Sequence, residues 1–305
     1  MLQRPGNPPV HELSVPDARL ALRKLQFAFR PERPAGVTQR EVTLTRGAAE
    51  GGPLAARLYR PAVPAAATGD LPALVWFHGG GWVLGDLDSH DVLCAELCLL
   101  ASAAVLSVDY RLAPEHRFPA AVEDAAFAVR WLRQHAAELS VDPGRIAVGG
   151  DSAGGNLAIV AALLLRDAGD PPLRFQLLVY PSTGPKDATP SRLLFSEGLG
   201  LTRDTMRFFG ANYLRSKEDS ADWRVAPLRA ASFRGLPPAL VLTAECDPLC
   251  DDGKLYAEKL RAEGIAAEYT CYPGVLHGFF PLGKAYDAAN EAVRQAGRAL
   301  AAALG

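Results

Sequence analysis

The sequence is short of most features that would place it at a membrane, on nucleic acid or in a disulfide-stapled scaffold. Its 305 residues contain no apolar run of about 18, the length a helix needs to cross a bilayer, so no membrane span is expected. Neither charge sign dominates: 32 Lys and Arg face 34 Asp and Glu, for a net charge of −2, so no nucleic-acid partner is expected. The opening Met1-Leu2-Gln3-Arg4-Pro5-Gly6-Asn7-Pro8-Pro9 lacks the apolar centre of a signal peptide, which makes a cytoplasmic location the expectation. Cysteine is sparse and odd in number, five in all. Cys94 and Cys98, and again Cys246 and Cys250, stand four apart rather than in C-x₂-C pairs, and Cys271 is alone. That spacing fits reduced thiols packed in or near a core better than zinc ligands or a disulfide framework, so no metal is expected. There is no internal repeat and no low-complexity block.

What is present is enough apolar material for a large core: 49% hydrophobic residues against 22% charged. From residue 73 the pattern alternates between short continuous apolar runs and longer amphipathic stretches. Strands are expected at 73–77, 104–108, 146–148, 175–180, 239–244 and 267–272. Helices are expected at 91–100 with Ser89 or Asp88 as cap, 120–139 closed by Asp142-Pro143-Gly144, from the glycine-rich turn after residue 148 to about 168, 253–262 and 286–304. Runs apolar on both sides imply a mostly parallel sheet covered by helices on both faces. Ahead of this lie two shorter strands, 40–45 and 54–59, joined too tightly for a parallel crossover and therefore antiparallel. About eight strands result. Residues 17–29 carry helical apolar spacing, and 61–70 is an Ala/Pro loop. No strong strand appears between 181 and 234, although 202–214 is helical; so long a connection after a strand's carboxyl end predicts part of a lid.

The chemistry concentrates at the carboxyl ends of the expected strands. Gly150-Asp151-Ser152-Ala153-Gly154-Gly155 sits between an apolar strand and a strong helix former, the setting in which G-x-S-x-G makes a nucleophile elbow. Its flanking glycines let the turn be sharp enough to push Ser152 outward. His78-Gly79-Gly80-Gly81-Trp82 follows the strand at 73–77, and its bare N–H groups suit a developing oxyanion. Ala153 would add another N–H, and His78 is expected to hold the loop together with Gly79. A phosphate loop would need a Lys after the glycines, and none follows. Ser152 needs a base, and His277 is the one histidine after it. The orienting acid is sought in Glu245-Cys246-Asp247-Pro248-Leu249-Cys250-Asp251-Asp252, where Asp247 is best placed and Glu245, Asp251 and Asp252 are alternatives. Asp251 or Asp252 is expected to cap the following helix. Asp109, Arg111, Glu115 and His116 are expected to form a bracing ion-pair network, and Glu123 and Asp124 to open a helix. Trp82, Phe208, Phe209 and Phe279 are candidate walls of an apolar substrate pocket.

Taken together, HGGGW, DYRLAPEHRFPAA, GDSAGGNLA, DPLCDDG and HGF, in that order between about residues 71 and 280, resemble the hormone-sensitive-lipase-like branch of the α/β-hydrolases, the type IV carboxylesterases. The resemblance implies Ser152, Asp247 and His277 as a triad and the N–H groups of Gly80, Gly81 and Ala153 as an oxyanion hole. It also implies short- to medium-chain acyl esters as substrates, no cofactor and a possible homodimer. On this reading residues 1–36 are N-terminal cap helices and 37–305 a catalytic domain, with a cap insertion at about 182–234. An amidase or an arylester or lactone hydrolase would use the same machinery. A ligand receptor on this scaffold would be expected to lack His277, and a haloalkane or epoxide hydrolase to carry a carboxylate at the position of Ser152.

Overall fold

The continuous apolar runs form strands whose side chains are buried on both sides. In a computed structural model that describes residues 8–62, 69–184 and 189–305, the chain forms one eight-stranded sheet. Its strands are β1 (Val37–Leu44), β2 (Leu54–Pro61), β3 (Leu71–Phe77), β4 (Ala104–Val108), β5 (Val141–Asp151), β6 (Phe175–Val179), β7 (Ala239–Cys246) and β8 (Ala267–Leu276). Their spatial order is β1-β2-β4-β3-β5-β6-β7-β8. β1 pairs antiparallel with β2 and β2 antiparallel with β4, and every later pairing is parallel. Most of the loop expected at 61–70 lies outside the described residues, as do 1–7 and 185–188 of the expected cap segments.

Period-two alternation within each apolar run sorts residues between two cores. From β3, Ala73, Val75 and Phe77 enter one and Leu74 and Trp76 the other. The first core is closed by α3 (Ala120–Gln134), α4 (Ala153–Asp167) and α7 (Cys250–Ala262), the second by α2 (Asp91–Ala101) and α8 (Asp287–Leu304). α4 runs through the middle of the first core. Every residue from Ala153 to Leu163 is buried, as a helix apolar on all sides requires. The remaining helices, α1 (Val15–Phe29), α5 (Pro190–Leu194) and α6 (Arg203–Tyr213), belong to the N-terminal segment and the long insertion. The two segments touch: His11 Nδ1 lies 3.5 Å from Thr205 Oγ1.

Three local expectations need correction. α2 is not capped by Ser89 or Asp88: its N-cap is His90, and no side chain caps it. Asp142-Pro143-Gly144 does not close a helix ahead of a three-residue strand. It forms a side-chain-braced kink inside the longer β5, with Gly144 N–H donating to Asp142 Oδ1 at 2.8 Å. Neither Asp251 nor Asp252 caps α7, whose N-cap is Leu249.

The expected ion-pair network is real but centred elsewhere. Asp124, fully buried on α3, accepts from Arg46 at 2.6 Å and from Arg111 at 2.7 Å. It also accepts the Arg111 backbone N–H at 2.8 Å. Glu115 instead pairs with Arg19 of α1 at 2.7 Å. Asp109 is partly buried, and loss of solvent, with Asp86 and Asp88 adding to it, pushes its carboxyl up to about 6. Removing the shared Asp124 carboxylate leaves Arg46, 3% exposed, with no carboxylate partner among the described residues, and Arg111 with Glu123 alone. Asp124→Ala should therefore destabilise the fold by about 3–5 kcal/mol, read from urea unfolding at neutral pH; a loss under about 1 kcal/mol would show that the network is dispensable.

Candidate active site

Ser152 stands in the turn between β5 and α4 with φ 56° and ψ −115°, a conformation that costs a non-glycine residue on the order of 1–3 kcal/mol. The surroundings impose it. Its N–H donates to Val179 O at 2.9 Å, and its carbonyl accepts from Asn156 N–H at 3.1 Å and Ser182 N–H at 3.2 Å. A side chain at Gly150 or Gly154 would run into the Phe77 carbonyl at the end of β3, so the turn packs backbone against backbone.

His277 follows directly on β8, and its ring bridges two groups far apart in sequence. Nε2 lies 2.9 Å from Ser152 Oγ and Nδ1 lies 2.6 Å from Asp247 Oδ2. The Asp247 carboxylate is fully buried just after β7, and its other oxygen accepts the Leu249 N–H at 2.8 Å. The Tyr180 ring backs the imidazole at 4.7 Å between centroids. The neighbouring carboxylates are occupied elsewhere. Glu245 accepts the Gly274 N–H at 2.8 Å, which pins the loop leading to His277. Asp251 accepts the Ser191 N–H at 2.9 Å. Asp252, buried, accepts Thr183 N–H at 2.9 Å and Gly184 N–H at 3.1 Å and pairs with Arg192 at 3.0 Å. These two acids fasten the insertion to α7.

The glycine loop after β3 reaches the same place. Gly80 and Gly81 have φ of 129° and 62°, and the Gly80 carbonyl is drawn into the loop's own turn by Val83 and Leu84 N–H groups at 3.2 and 2.8 Å. Asp151 ties this loop to the serine turn: its Oδ1 accepts Gly79 N–H at 2.8 Å. Behind it, His90 Nε2 lies 3.0 Å from the same oxygen. Burial alone would raise the Asp151 carboxyl, but His90, His78 and the Gly79 N–H together hold it below the usual carboxylate range. His78 is fully buried; its Nδ1 lies 2.9 Å from Gly79 O and its ring stacks on Tyr110 at 4.4 Å. It therefore lies under the loop, away from Ser152's ring partner.

Ser152 borders two apolar cavities. One is lined by Leu22, Leu25 and Gln26 of α1, by Gly79, Gly80 and Gly81, and by Leu201, Phe209, His277 and Leu282. The other is lined by Trp82, Ala153, Arg192, Met206, Phe209, Tyr213 and Leu249. Phe209 is a wall of both, and Trp82 stacks on Tyr213 at 4.5 Å. Phe208 packs edge-on against Phe209 from outside the walls, at 5.7 Å. Phe279 is a correction: it is fully buried in the second core against Tyr180, Tyr272 and Phe280 and lines neither cavity. Sequence reasoning missed His90, Leu201, Met206, Tyr213 and the α1 residues. Of these, only Leu22 and Leu25 carried a signal, the apolar spacing of the helix at 17–29.

A family profile described as alpha/beta hydrolase fold matches residues 74–281. The chain is 45% identical over 279 residues to the carboxylic ester hydrolase LipN of Mycobacterium tuberculosis, covering 90% of this chain and 73% of that protein. It is 38% identical to an ethyl acetate hydrolase of Pseudomonas putida over 93% of this chain and 88% of the other. Among solved structures, a thermostable esterase from Pseudomonas putida superposes with a TM-score of 0.92 at 38% identity, over 98% of this chain and 93% of that one. An esterase from Pyrobaculum calidifontis gives 0.88 at 40% identity, over 96% and 95%.

The loop's support carries a pH signature. Burial, with His90 adding to it, lowers His78 from an ordinary 6.5 to about 4. Between those values the unfolded chain takes up a proton that the native chain refuses, so stability is lost as pH falls from about 6.5 toward 4. At pH 5 the loss attributable to His78 is about 2 kcal/mol relative to pH 7. Urea unfolding at the two pH values should show that much less pH dependence in His78→Gln than in wild type; equal slopes would remove His78 as the source.

Proposed function

As a member of the α/β-hydrolase family, in its hormone-sensitive-lipase-like branch, this chain is a carboxylic ester hydrolase, and we propose that Ser152, His277 and Asp247 are its nucleophile, base and orienting acid. The reading rests on one observation above all, the His277 ring within hydrogen-bond reach of both Ser152 Oγ and Asp247 Oδ2. With Nδ1–H donating to Asp247, Nε2 is free to accept the serine proton. Ser152 Oγ then attacks the ester carbonyl, and the proton passes through His277 to the departing alcohol. Water, deprotonated by the same Nε2, attacks the acyl-enzyme and releases the acid. Charge on the tetrahedral oxygen is met by the N–H groups of Gly80, Gly81 and Ala153, and each such donor contributes about 3–4 kcal/mol in comparable sites. The start of α4 adds its positive dipole end.

The substrates we propose are short- to medium-chain acyl esters. Two apolar chambers on either side of Ser152 suit the acyl and alcohol parts of such an ester, with Phe209 between them. Residues 1–36 and about 182–234 act as a cap, a role supported by α1 and α6 residues in the cavity walls.

Hydrolysis of p-nitrophenyl esters from acetate to palmitate, with Ser152→Ala and His277→Ala alongside, tests the proposal. Wild-type rates should peak at a short or medium chain, and either variant should lose about 10⁴-fold or more in kcat. Full activity in either variant would overturn the assignment.

A further inference from the structure

Two of the five cysteines differ from the rest. Cys94 and Cys98 are buried, and burial pushes both thiols up, Cys98 to about 12. Cys250, the first residue of α7, and Cys271, on β8, are only partly buried, and their sulfurs are 3.7 Å apart. Around them stand two hydroxyls. Cys250 Sγ lies 3.8 Å from Thr243 Oγ1 and 3.9 Å from Tyr269 OH, and the Thr243 hydroxyl donates to Tyr269 OH at 3.0 Å. Contact with the Cys250 thiol lowers Cys271, against the effect of burial and with help from the Thr243 and Tyr269 hydroxyls. Cys250 is raised by the same contact. The pair thus combines a thiolate-prone sulfur with a protonated sulfur in contact with it, on two different elements.

We propose that Cys250 and Cys271 form an oxidant-reactive dithiol that closes to a disulfide and displaces the loop carrying Asp247. The oxidant class is a peroxide. The Cys271 thiolate attacks one oxygen of hydrogen peroxide, the O–O bond breaks, and hydroxide leaves, to be protonated to water; Cys271 becomes a sulfenic acid. The Cys250 sulfur then attacks that sulfur, forming the S–S bond as its proton and the sulfenic hydroxyl leave as a second water. Two thiols are oxidised and one peroxide is reduced.

The mechanical link runs through the start of α7. The Cys250 N–H donates to the Asp247 carbonyl at 3.0 Å, and Asp251 and Asp252, next along α7, hold residues 183, 184, 191 and 192 of the insertion. A disulfide needs sulfurs about 2.05 Å apart, so closure removes roughly 1.6 Å between them, shared among side-chain rotation, the first turn of α7 and β8, with part of it taken up by α7. Asp247 and the insertion move with that turn. The effect on turnover rests on the role proposed for Asp247; formation of the disulfide does not.

The test uses the full chain with hydrogen peroxide, alkylation of remaining thiols, intact mass and a non-reducing peptide map. Kinetics on a short p-nitrophenyl ester are measured before and after treatment, with Cys250→Ser, Cys271→Ser and Cys246→Ser alongside. Free thiols should fall from five to three with a single Cys250–Cys271 cross-link. kcat should fall about tenfold or more, as a shift of about an ångström at a catalytic group predicts, with KM changed less than about twofold. Dithiothreitol should restore it. Both effects should vanish in Cys250→Ser and Cys271→Ser and persist in Cys246→Ser. A different pairing, over-oxidation of a single cysteine or five remaining thiols overturns the dithiol. A cross-link that leaves kcat unchanged overturns its coupling to Asp247. The peptide map is independent of turnover, so an enzyme inactive on every ester would sink the esterase mechanism and still leave the cross-link to be confirmed or refuted by mass.

Discussion

The site depends on one close approach, the turn after β5 against the carboxyl end of β3. Backbone meets backbone there because Gly150 and Gly154 present no side chain to the Phe77 carbonyl. The contact fixes Ser152 in a strained conformation and brings Asp151 within 2.8 Å of the Gly79 N–H. A single buried carboxylate thereby joins the serine turn to the glycine loop, and the groups proposed as nucleophile and oxyanion donors are positioned relative to each other by a charge-assisted hydrogen bond rather than by loop stiffness. The arrangement buries a negative charge, a cost offset by His90 and by the Gly79 N–H itself.

At the other side of Ser152, the cluster of acids after β7 divides its labour. Asp247 faces His277, Glu245 anchors the loop that delivers His277, and Asp251 and Asp252 hold the insertion. All four lie within eight residues, so one short segment sets the imidazole, its approach and the wall of the cavity together. Small movements of the start of α7 cannot be confined to one of these tasks.

Much of this was legible in the residues themselves. Strand order apart, the sheet followed from apolar runs whose alternate residues divide between two cores, as β3 shows. Ser152 was legible from its glycine-flanked strand-to-helix turn, and His277 because no other histidine follows Ser152; Asp247 stood among four carboxylates, and the resemblance rather than scarcity pointed to it. The failures share a cause. Phe279 was counted among the pocket aromatics, yet the tight turn after β8 sends its ring between Tyr180 and Tyr272. Asp251 and Asp252 looked like caps because they open a helix, and the partners that claim them lie about 60–70 residues earlier in the chain. His90 and Leu201 had no periodic neighbours to announce them. Local pattern reports elements and reactive types; it does not report contacts made across the insertion.

The wide sequence separation of the three bridged side chains has a kinetic consequence. His277 meets Ser152 across 125 positions and Asp247 across 30, and these contacts require β5, β6, β7 and β8 to be paired in order. Contacts of such length form only after much of the loop-closure entropy has been overcome. Regain of esterase activity during refolding is therefore a stricter clock than regain of helical circular dichroism, because it starts only when the last parallel strand has docked.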